Sequence, residues 1–126
     1  MLTLTPELLV EDVKSTIDWY HDHLDFQTKI LSPENGEPSF ARIGRGSAEI
    51  MLFRRQEFAQ EIKSFSQAPV GGSFVLYLTV EDVKPIWQKV QDSAKVIQPL
   101  HTTDYGSTEF TITDCNGYHL MFGQLD

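Results

Sequence analysis

One pentapeptide occurs twice in this chain, as Val10-Glu11-Asp12-Val13-Lys14 and again as Val80-Glu81-Asp82-Val83-Lys84. The two copies are separated by 70 residues, from position 10 to position 80. The same offset relates further pairs: Leu8 and Leu78, Phe40 and Phe110, Ile50 and Leu120, Met51 and Met121, and Leu52 and Phe122. A repeat of this length predicts two similar modules related by a pseudo-two-fold axis, and a site between them would receive equivalent positions from both.

Each pentapeptide stands where a predicted strand gives way to a predicted helix. Residues 2–10 alternate between apolar and polar side chains, which is typical of a half-buried strand. Asp12 and Asp82 are suitable N-cap residues. Apolar residues then follow at helical spacing in both copies: Val13, Ile17, Tyr20 and Leu24 in the first, and Val83, Trp87, Val90 and Ala94 in the second. Pro85 is expected in the first turn of the second helix, where its missing N–H costs little.

Further strands follow each helix. The patterns and the turn residues between them predict strands at about 26–32, 38–43 and 47–54 in the first copy, and at about 95–98, 106–113 and 118–123 in the second. The predicted class is α+β, with two tandem β-α-β-β-β modules in one domain spanning residues 1–126. Module 1 covers 1–54 and module 2 covers 72–126, joined by a linker, 55–71, with a short helix near 57–65.

Composition excludes several classes of protein. The formal net charge of −8 disfavours nucleic-acid binding and would instead attract cationic ligands. No apolar stretch reaches the ~20 residues needed to cross a bilayer, so no membrane association is expected. The single Cys115 cannot form an intrachain disulfide, and no basic region followed by an apolar run opens the chain. The expected location is therefore cytoplasmic.

Three stretches carry a resemblance to a known family. They are Leu9 to Tyr20 with His23-Leu24-Asp25-Phe26, then Leu78 to Val83, and finally Tyr105-Gly106 with Phe110 and Asp114 to Leu120. Together they resemble the vicinal oxygen chelate superfamily, which includes glyoxalase I, extradiol dioxygenases and bleomycin-resistance proteins. Cys115 and Tyr105 depart from the family pattern, which usually has proline and tryptophan there. The resemblance implies a cup-shaped, mostly antiparallel sheet built from both modules.

The resemblance also implies where a metal would be held in the metal-dependent members. Those four strand positions correspond here to Thr5, Met51, Val75 and Met121. A threonine hydroxyl binds hard or borderline cations weakly, valine has no donor, and methionine prefers soft Cu(I). We therefore expect no metal and no other cofactor.

Strand alternation predicts which side chains line the cup. They are Thr5, Glu7, Glu49, Met51, Phe53, Val75, Tyr77, His119 and Met121. This lining is mostly apolar with a few polar groups, as expected of a small-molecule pocket. The predicted function is binding of a hydrophobic or cationic small molecule without catalysis, similar to the bleomycin-resistance branch, whose members usually form homodimers.

Two alternatives remain open. Glu7, Glu49 and His119 lie on neighbouring positions of the same lining and would form a shifted metal or acid–base site, which predicts a glyoxalase-like lyase or isomerase. Alternatively, Met51, Phe53, Tyr77 and Met121 fill the cup themselves, and the chain is an interaction module with a closed interior.

Overall fold

The computed structural model describes residues 2–125 and divides the chain into two compact units, one ending at Val70 and the other beginning at Gly71. Each unit contains one four-stranded sheet and at least one helix. No helix among the described residues is long and apolar enough to cross a membrane.

The first unit is built in the order β-α-β-β-β, followed by a second helix. Its elements are β1 (Glu7–Val10), α1 (Val13–Leu24), β2 (Gln27–Ser32), β3 (Phe40–Arg45), β4 (Ala48–Arg54), α2 (Arg55–Glu61) and a turn of 3₁₀ helix (Lys63–Phe65). The sheet order is β1-β4-β3-β2. Strand β1 runs parallel to β4, whereas the other two pairings are antiparallel.

The second unit repeats this arrangement. Its elements are β5 (Val75–Thr79), α3 (Lys84–Val90), β6 (Lys95–Thr102), β7 (Ser107–Thr113) and β8 (His119–Leu125). The sheet order β5-β8-β7-β6 again contains one parallel pair, β5 with β8, and two antiparallel pairs. The predicted α+β class and the repeated β-α-β-β-β module are therefore confirmed, with mixed and mostly antiparallel sheets.

The first helix begins where the sequence predicts. The Asp12 carboxylate accepts a hydrogen bond from the Ser15 backbone N–H at 3.0 Å, which makes Asp12 its N-cap. The helix buries Val13, Tyr20 and Leu24 as expected. The fourth buried position is Thr16 rather than Ile17. Thr16 is accommodated there because its hydroxyl donates to the Asp12 carbonyl at 2.7 Å.

Helix α3, the helix of the second module, is shorter than the sequence predicts. It ends at Val90, so Ala94 lies outside it, and only Val90 is buried along its length. Its N-cap is Val83, one residue later than predicted, although the Asp82 carboxylate still accepts a hydrogen bond from the Lys84 N–H at 3.0 Å. Pro85 lies in the first turn, as expected.

The predicted first strand, 2–10, is too long. Strand β1 begins only at Glu7, and Leu4 is 88% exposed. Pro6 limits the strand because it has no N–H to donate, although its carbonyl accepts from the Met51 N–H at 2.8 Å.

Residues 55–65, expected within a linker, form α2 and the 3₁₀ turn, and α2 contacts β1 and β4.

The repeat offset is not uniform. It is 70 residues for β1 and β5, since Glu7 pairs with Met51 and Tyr77 pairs with Met121. It is 69 residues for β3 and β7. Ala41 opposes Leu52 in the first sheet, while Phe110 opposes Phe122 in the second. The cause is the hairpin: four residues separate the paired Gly44 and Glu49, but five separate Thr113 and His119.

This one-residue difference corrects the predicted equivalence of Phe40 and Phe110. Phe110 is fully buried and corresponds to Ala41, another fully buried core residue. Phe40 instead corresponds to Glu109, because Phe40 opposes Phe53 and Glu109 opposes Gly123. Phe40 and Glu109 therefore both lie on the sheet face that alternates with the core.

Candidate functional site

Each sheet has a core face and an opposite face, which we call the open face. The core face carries fully buried residues such as Leu52 and Ile112. The predicted site residues lie on the alternate positions. Glu7, Val75 and Tyr77 are exposed, and the other six are partly buried: Thr5, Glu49, Met51, Phe53, His119 and Met121. Five of the nine belong to the first unit and four to the second.

A residue that the sequence argument missed, Arg42, lies at the centre of the first open face. It stands opposite Met51 in the pairing of β3 with β4. Its Nη2 donates to Thr5 Oγ1 at 3.2 Å, and its Nε donates to Glu49 Oε1 at 2.8 Å. Lys29 Nζ donates to the other Glu49 oxygen at 2.7 Å. The sequence does contain a signal that places Arg42 on the open face, because Arg42 is the polar residue between two apolar core residues of β3.

These contacts determine the ionisation of Glu49. Hydrogen bonds from Lys29 and then Arg42 lower the pKa of this carboxyl below its ordinary value of 4.5. Glu49 is therefore ionised at neutral pH and paired with two cations. A carboxylate held in this way is a weak base, and its charge is not free to attract a cationic ligand.

The family's metal positions in the first unit do not suit a cation. Thr5 accepts a hydrogen bond from the Arg42 guanidinium, and Met51 lies opposite the same residue. A permanently charged guanidinium beside two of the four positions repels any divalent ion. In the second unit, Val75 has no donor atom and Met121 offers only a thioether. The donor set therefore does not fit the metal that the fold would suggest.

The second open face is organised around Glu109, which the sequence argument also missed. The residue is 3% exposed, and its carboxylate accepts three hydrogen bonds. Tyr77 Oη donates at 2.7 Å and Ser107 Oγ at 3.0 Å to one oxygen, and Tyr105 Oη donates at 2.8 Å to the other. The predicted site residue Tyr77 is thus one part of a cluster that we call the Glu109 cluster: Tyr77, Tyr105, Ser107 and Glu109.

Two opposing effects act on the Glu109 carboxyl. Burial favours its neutral form, but the hydrogen bonds from Tyr77, Tyr105 and Ser107 favour the anion, and so does a smaller electrostatic effect of His101, which lies opposite Glu109 across β6 and β7. The net result is a lowered pKa. The same contact holds the tyrosine protons in place. The hydrogen bond to Glu109 raises the pKa of Tyr77 to about 12 and also raises that of Tyr105. At neutral pH the cluster therefore carries one negative charge and two neutral phenols.

A glycine makes this geometry possible. Tyr77 lies over Gly123 so closely that a Cβ at position 123 would overlap the phenol oxygen. In the first unit, Phe53 occupies the position that corresponds to Gly123. Its ring meets that of Phe40 edge to face at 5.9 Å and that of Phe58 at 5.1 Å, measured between ring centroids. One open face thus holds an aromatic cluster where the other holds an ionised carboxylate under tyrosines.

Thr111 is the residue on the second open face that corresponds to Arg42. It is 4% exposed and stands opposite Met121. Its buried hydroxyl has no hydrogen-bond partner in the described part of the chain. Since buried polar groups normally have partners, this hydroxyl is an unused donor and acceptor beside the predicted site.

The remaining predicted residues do not assemble a metal centre within a unit. Glu7 is exposed as a residue, but partial desolvation of its carboxyl, followed by the nearby charge of Glu61, raises its pKa. His119 opposes Val75 on one side and Thr113 on the other. Among residues 2–125, neither unit contains three or more His, Cys, Asp or Glu side chains placed to hold a metal ion.

The sequence matches the model of the Glyoxalase/Bleomycin resistance protein/Dioxygenase superfamily over residues 3–122. The chain belongs to this superfamily. No curated protein matched it.

Solved structures show the same fold. TioX from Micromonospora sp. ML1 superimposes with a TM-score of 0.75 at 19% identity, covering 99% of this chain and 97% of that one. A glyoxalase/bleomycin resistance protein/dioxygenase family enzyme from Burkholderia phytofirmans PsJN gives 0.78 at 16% identity, covering 95% of both chains. A superfamily protein from Nocardioides gives 0.79 at 12% identity, covering 99% of this chain and 84% of that one.

Proposed function

We propose that this superfamily member binds a small hydrophobic or cationic molecule without a metal and without transforming it, in the manner of the bleomycin-resistance branch. The observation that carries the proposal is the hydrogen bond from Arg42 to Thr5, because it puts a fixed positive charge at a position where the metal-dependent relatives would hold their ion. Without that ion, the chain lacks the Lewis acid on which the family's usual chemistry depends.

The state of the carboxylates supports binding over catalysis. Glu49 is paired with Lys29 and Arg42, and Glu109 accepts hydrogen bonds from three hydroxyl groups. Both have lowered pKa values, whereas a general base works best when its pKa lies near the working pH. The alternative enzyme hypothesis assigns the base role to Glu49 or His119, and it loses support at Glu49 for this reason.

The open faces supply the proposed binding surface. Tyr77 and Val75 are 50% and 47% exposed, and Met51 and Met121 are flexible and polarisable side chains that adapt to irregular ligands. We propose that the nine predicted residues are ligand-binding, with Arg42 adding to those of the first open face and the Glu109 cluster to those of the second.

We also propose a homodimer. Ile30 on β2 and Ile97 on β6 are 50% and 46% exposed, and both strands lie at the edge of their sheets. Edge strands with exposed apolar residues are suited to association with another chain. The oligomeric state is measured by sedimentation equilibrium of the wild type and of Ile30→Glu and Ile97→Glu, with Lys14→Glu as the control. A wild type that sediments as a monomer contradicts the dimer.

The proposed function is tested by native mass spectrometry and metal analysis of the purified protein. We expect a bound organic molecule and less than one equivalent of any transition metal. Addition of Zn²⁺, Ni²⁺ or Mn²⁺ should leave the melting temperature unchanged in the wild type. One tightly bound metal per chain, retained through gel filtration, would overturn the proposal. So would turnover of a bound molecule that is abolished by Glu49→Gln or His119→Gln with folding intact.

A further inference from the structure

We propose that the Glu109 cluster is a recognition site for an organic cation, such as a quaternary or protonated amine. This inference rests on the proposed small-molecule function and specifies which chemical group the second open face selects. It assigns the selectivity to Glu109, a residue outside the family's metal positions, and not to Glu7 or Glu49.

The first supporting observation concerns the negative charge of the Glu109 carboxylate. Glu109 is 3% exposed, yet no lysine, arginine or histidine among residues 2–125 forms an ion pair with it. His101 lies opposite Glu109 in the pairing of β6 with β7 and favours the anion only through a weaker electrostatic effect. The three groups that donate hydrogen bonds to the carboxylate are neutral hydroxyls. A buried carboxylate normally has a cationic partner, because transfer of an isolated charge out of water is expensive. A ligand cation would supply that partner.

The second step is the aromatic surface above the carboxylate. Tyr77 is 50% exposed and Tyr105 is 67% exposed, although both hydroxyl groups are tied to Glu109. A cation placed over a tyrosine ring is attracted by its electron-rich face. Hydrogen bonding of each phenol to an anion polarises the ring further in the same direction. The exposed rings and the buried charge therefore favour the same class of ligand.

The third step is the unused hydroxyl of Thr111. Residues 109 and 111 are two apart on β7, so their side chains lie on the same face of the strand. The Thr111 hydroxyl is buried and has no partner among the described residues. A polar substituent of a ligand bound beside it would satisfy this hydroxyl.

The first open face carries different charges and side chains from the second. There Glu49 is neutralised by Lys29 and Arg42, and two phenylalanines take the places of Glu109 and Gly123. Glu7 is the other carboxylate of that face, and it is exposed, so water and salt screen its charge. The first face therefore offers a cation less attraction, and preference for positive charge should depend on the Glu109 cluster.

The test compares choline with its neutral carbon isostere, 3,3-dimethylbutan-1-ol, by NMR titration of the backbone amides. We expect choline to bind with a Kd about tenfold lower and to shift amides of β5, β7 and β8. Glu109→Gln should bring the two Kd values together. Glu81→Gln, which changes the net charge equally at an exposed position, should keep the difference.

Other outcomes separate this inference from the proposed function. Equal binding of both probes, or a preference that survives Glu109→Gln, overturns the inference. A protein that retains a neutral hydrophobic molecule after purification but does not prefer choline keeps the proposed function and overturns the cation site. If Glu109→Gln fails to fold, Tyr105→Ala provides the second variant, since Tyr105 is mostly exposed, and an unchanged choline preference there also contradicts the inference.

Discussion

The phenol of Tyr77 lies directly over Gly123, in space that any larger residue at position 123 would occupy. This arrangement lets Tyr77 reach Glu109, which pairs with Gly123 across β7 and β8. The glycine is therefore part of the candidate site, even though it has no functional group of its own.

Gly123→Ala tests this dependence. The added methyl group should displace Tyr77 and lower the free energy of unfolding by about 1–3 kcal/mol, as in other overpacked positions. Chemical denaturation provides the measurement. In a Tyr77→Ala background the same substitution should cost much less, because the overlapping ring is gone. Equal costs in the two backgrounds would show that the alanine acts through something other than Tyr77.

The Tyr77 hydroxyl should stay protonated at high pH. Its pKa of about 12 has the hydrogen bond to Glu109 as its main cause. In ¹³Cζ-tyrosine NMR, with the resonance assigned by Tyr77→Phe, we expect little ionisation of Tyr77 near pH 10.5 in the wild type. Glu109→Gln should bring its titration closer to that of a free tyrosine. A Tyr77 resonance that titrates at the ordinary value of 10.0 would contradict the hydrogen bond.

Thr111→Val should stabilise the unliganded protein. The substitution removes a buried hydroxyl that has no partner among residues 2–125 and keeps the side-chain shape. We expect a gain of about 1 kcal/mol in the free energy of unfolding. Thr16→Val is the matched control, because that buried hydroxyl donates to the Asp12 carbonyl at 2.7 Å and its loss should destabilise the protein. A destabilised Thr111→Val variant would mean that the hydroxyl is satisfied in solution.

The ion pairs of Glu49 should make stability depend on pH. Lys29 and Arg42 lower the folded-state pKa of this carboxyl below 4.5. Such a group stabilises the fold above its unfolded pKa, and the contribution is lost as the pH falls through the folded value. Between about pH 5 and about pH 3, the wild type should therefore lose more stability than Glu49→Gln.

The control for this comparison is Glu34→Gln, at an exposed position of the loop between β2 and β3. Its stability should follow that of the wild type over the same pH range. Parallel curves for the wild type and Glu49→Gln would show that the contacts with Lys29 and Arg42 have no effect on the ionisation of Glu49.

The sequence alone was sufficient to predict the repeat, the β-α-β-β-β order and the start of α1. These features depend on local patterns: alternation along a strand, helical spacing after a cap, and turn residues between elements. It also predicted the sheet face on which Met51 and Met121 lie, because alternation assigns a side chain to a face wherever the strand is regular.

Only the tertiary structure revealed which side chains on that face act together. Arg42 and Glu109 were missed because each depends on a partner from another strand, Glu49 on β4 and Tyr77 on β5, and such partners depend on register. Register in β3 and β7 differs by one residue between the modules, since the second hairpin is one residue longer. A shift of one residue moves every side chain of a strand to the other face. That is the physical reason why a repeat visible in the sequence did not reveal that the two open faces carry different chemistry.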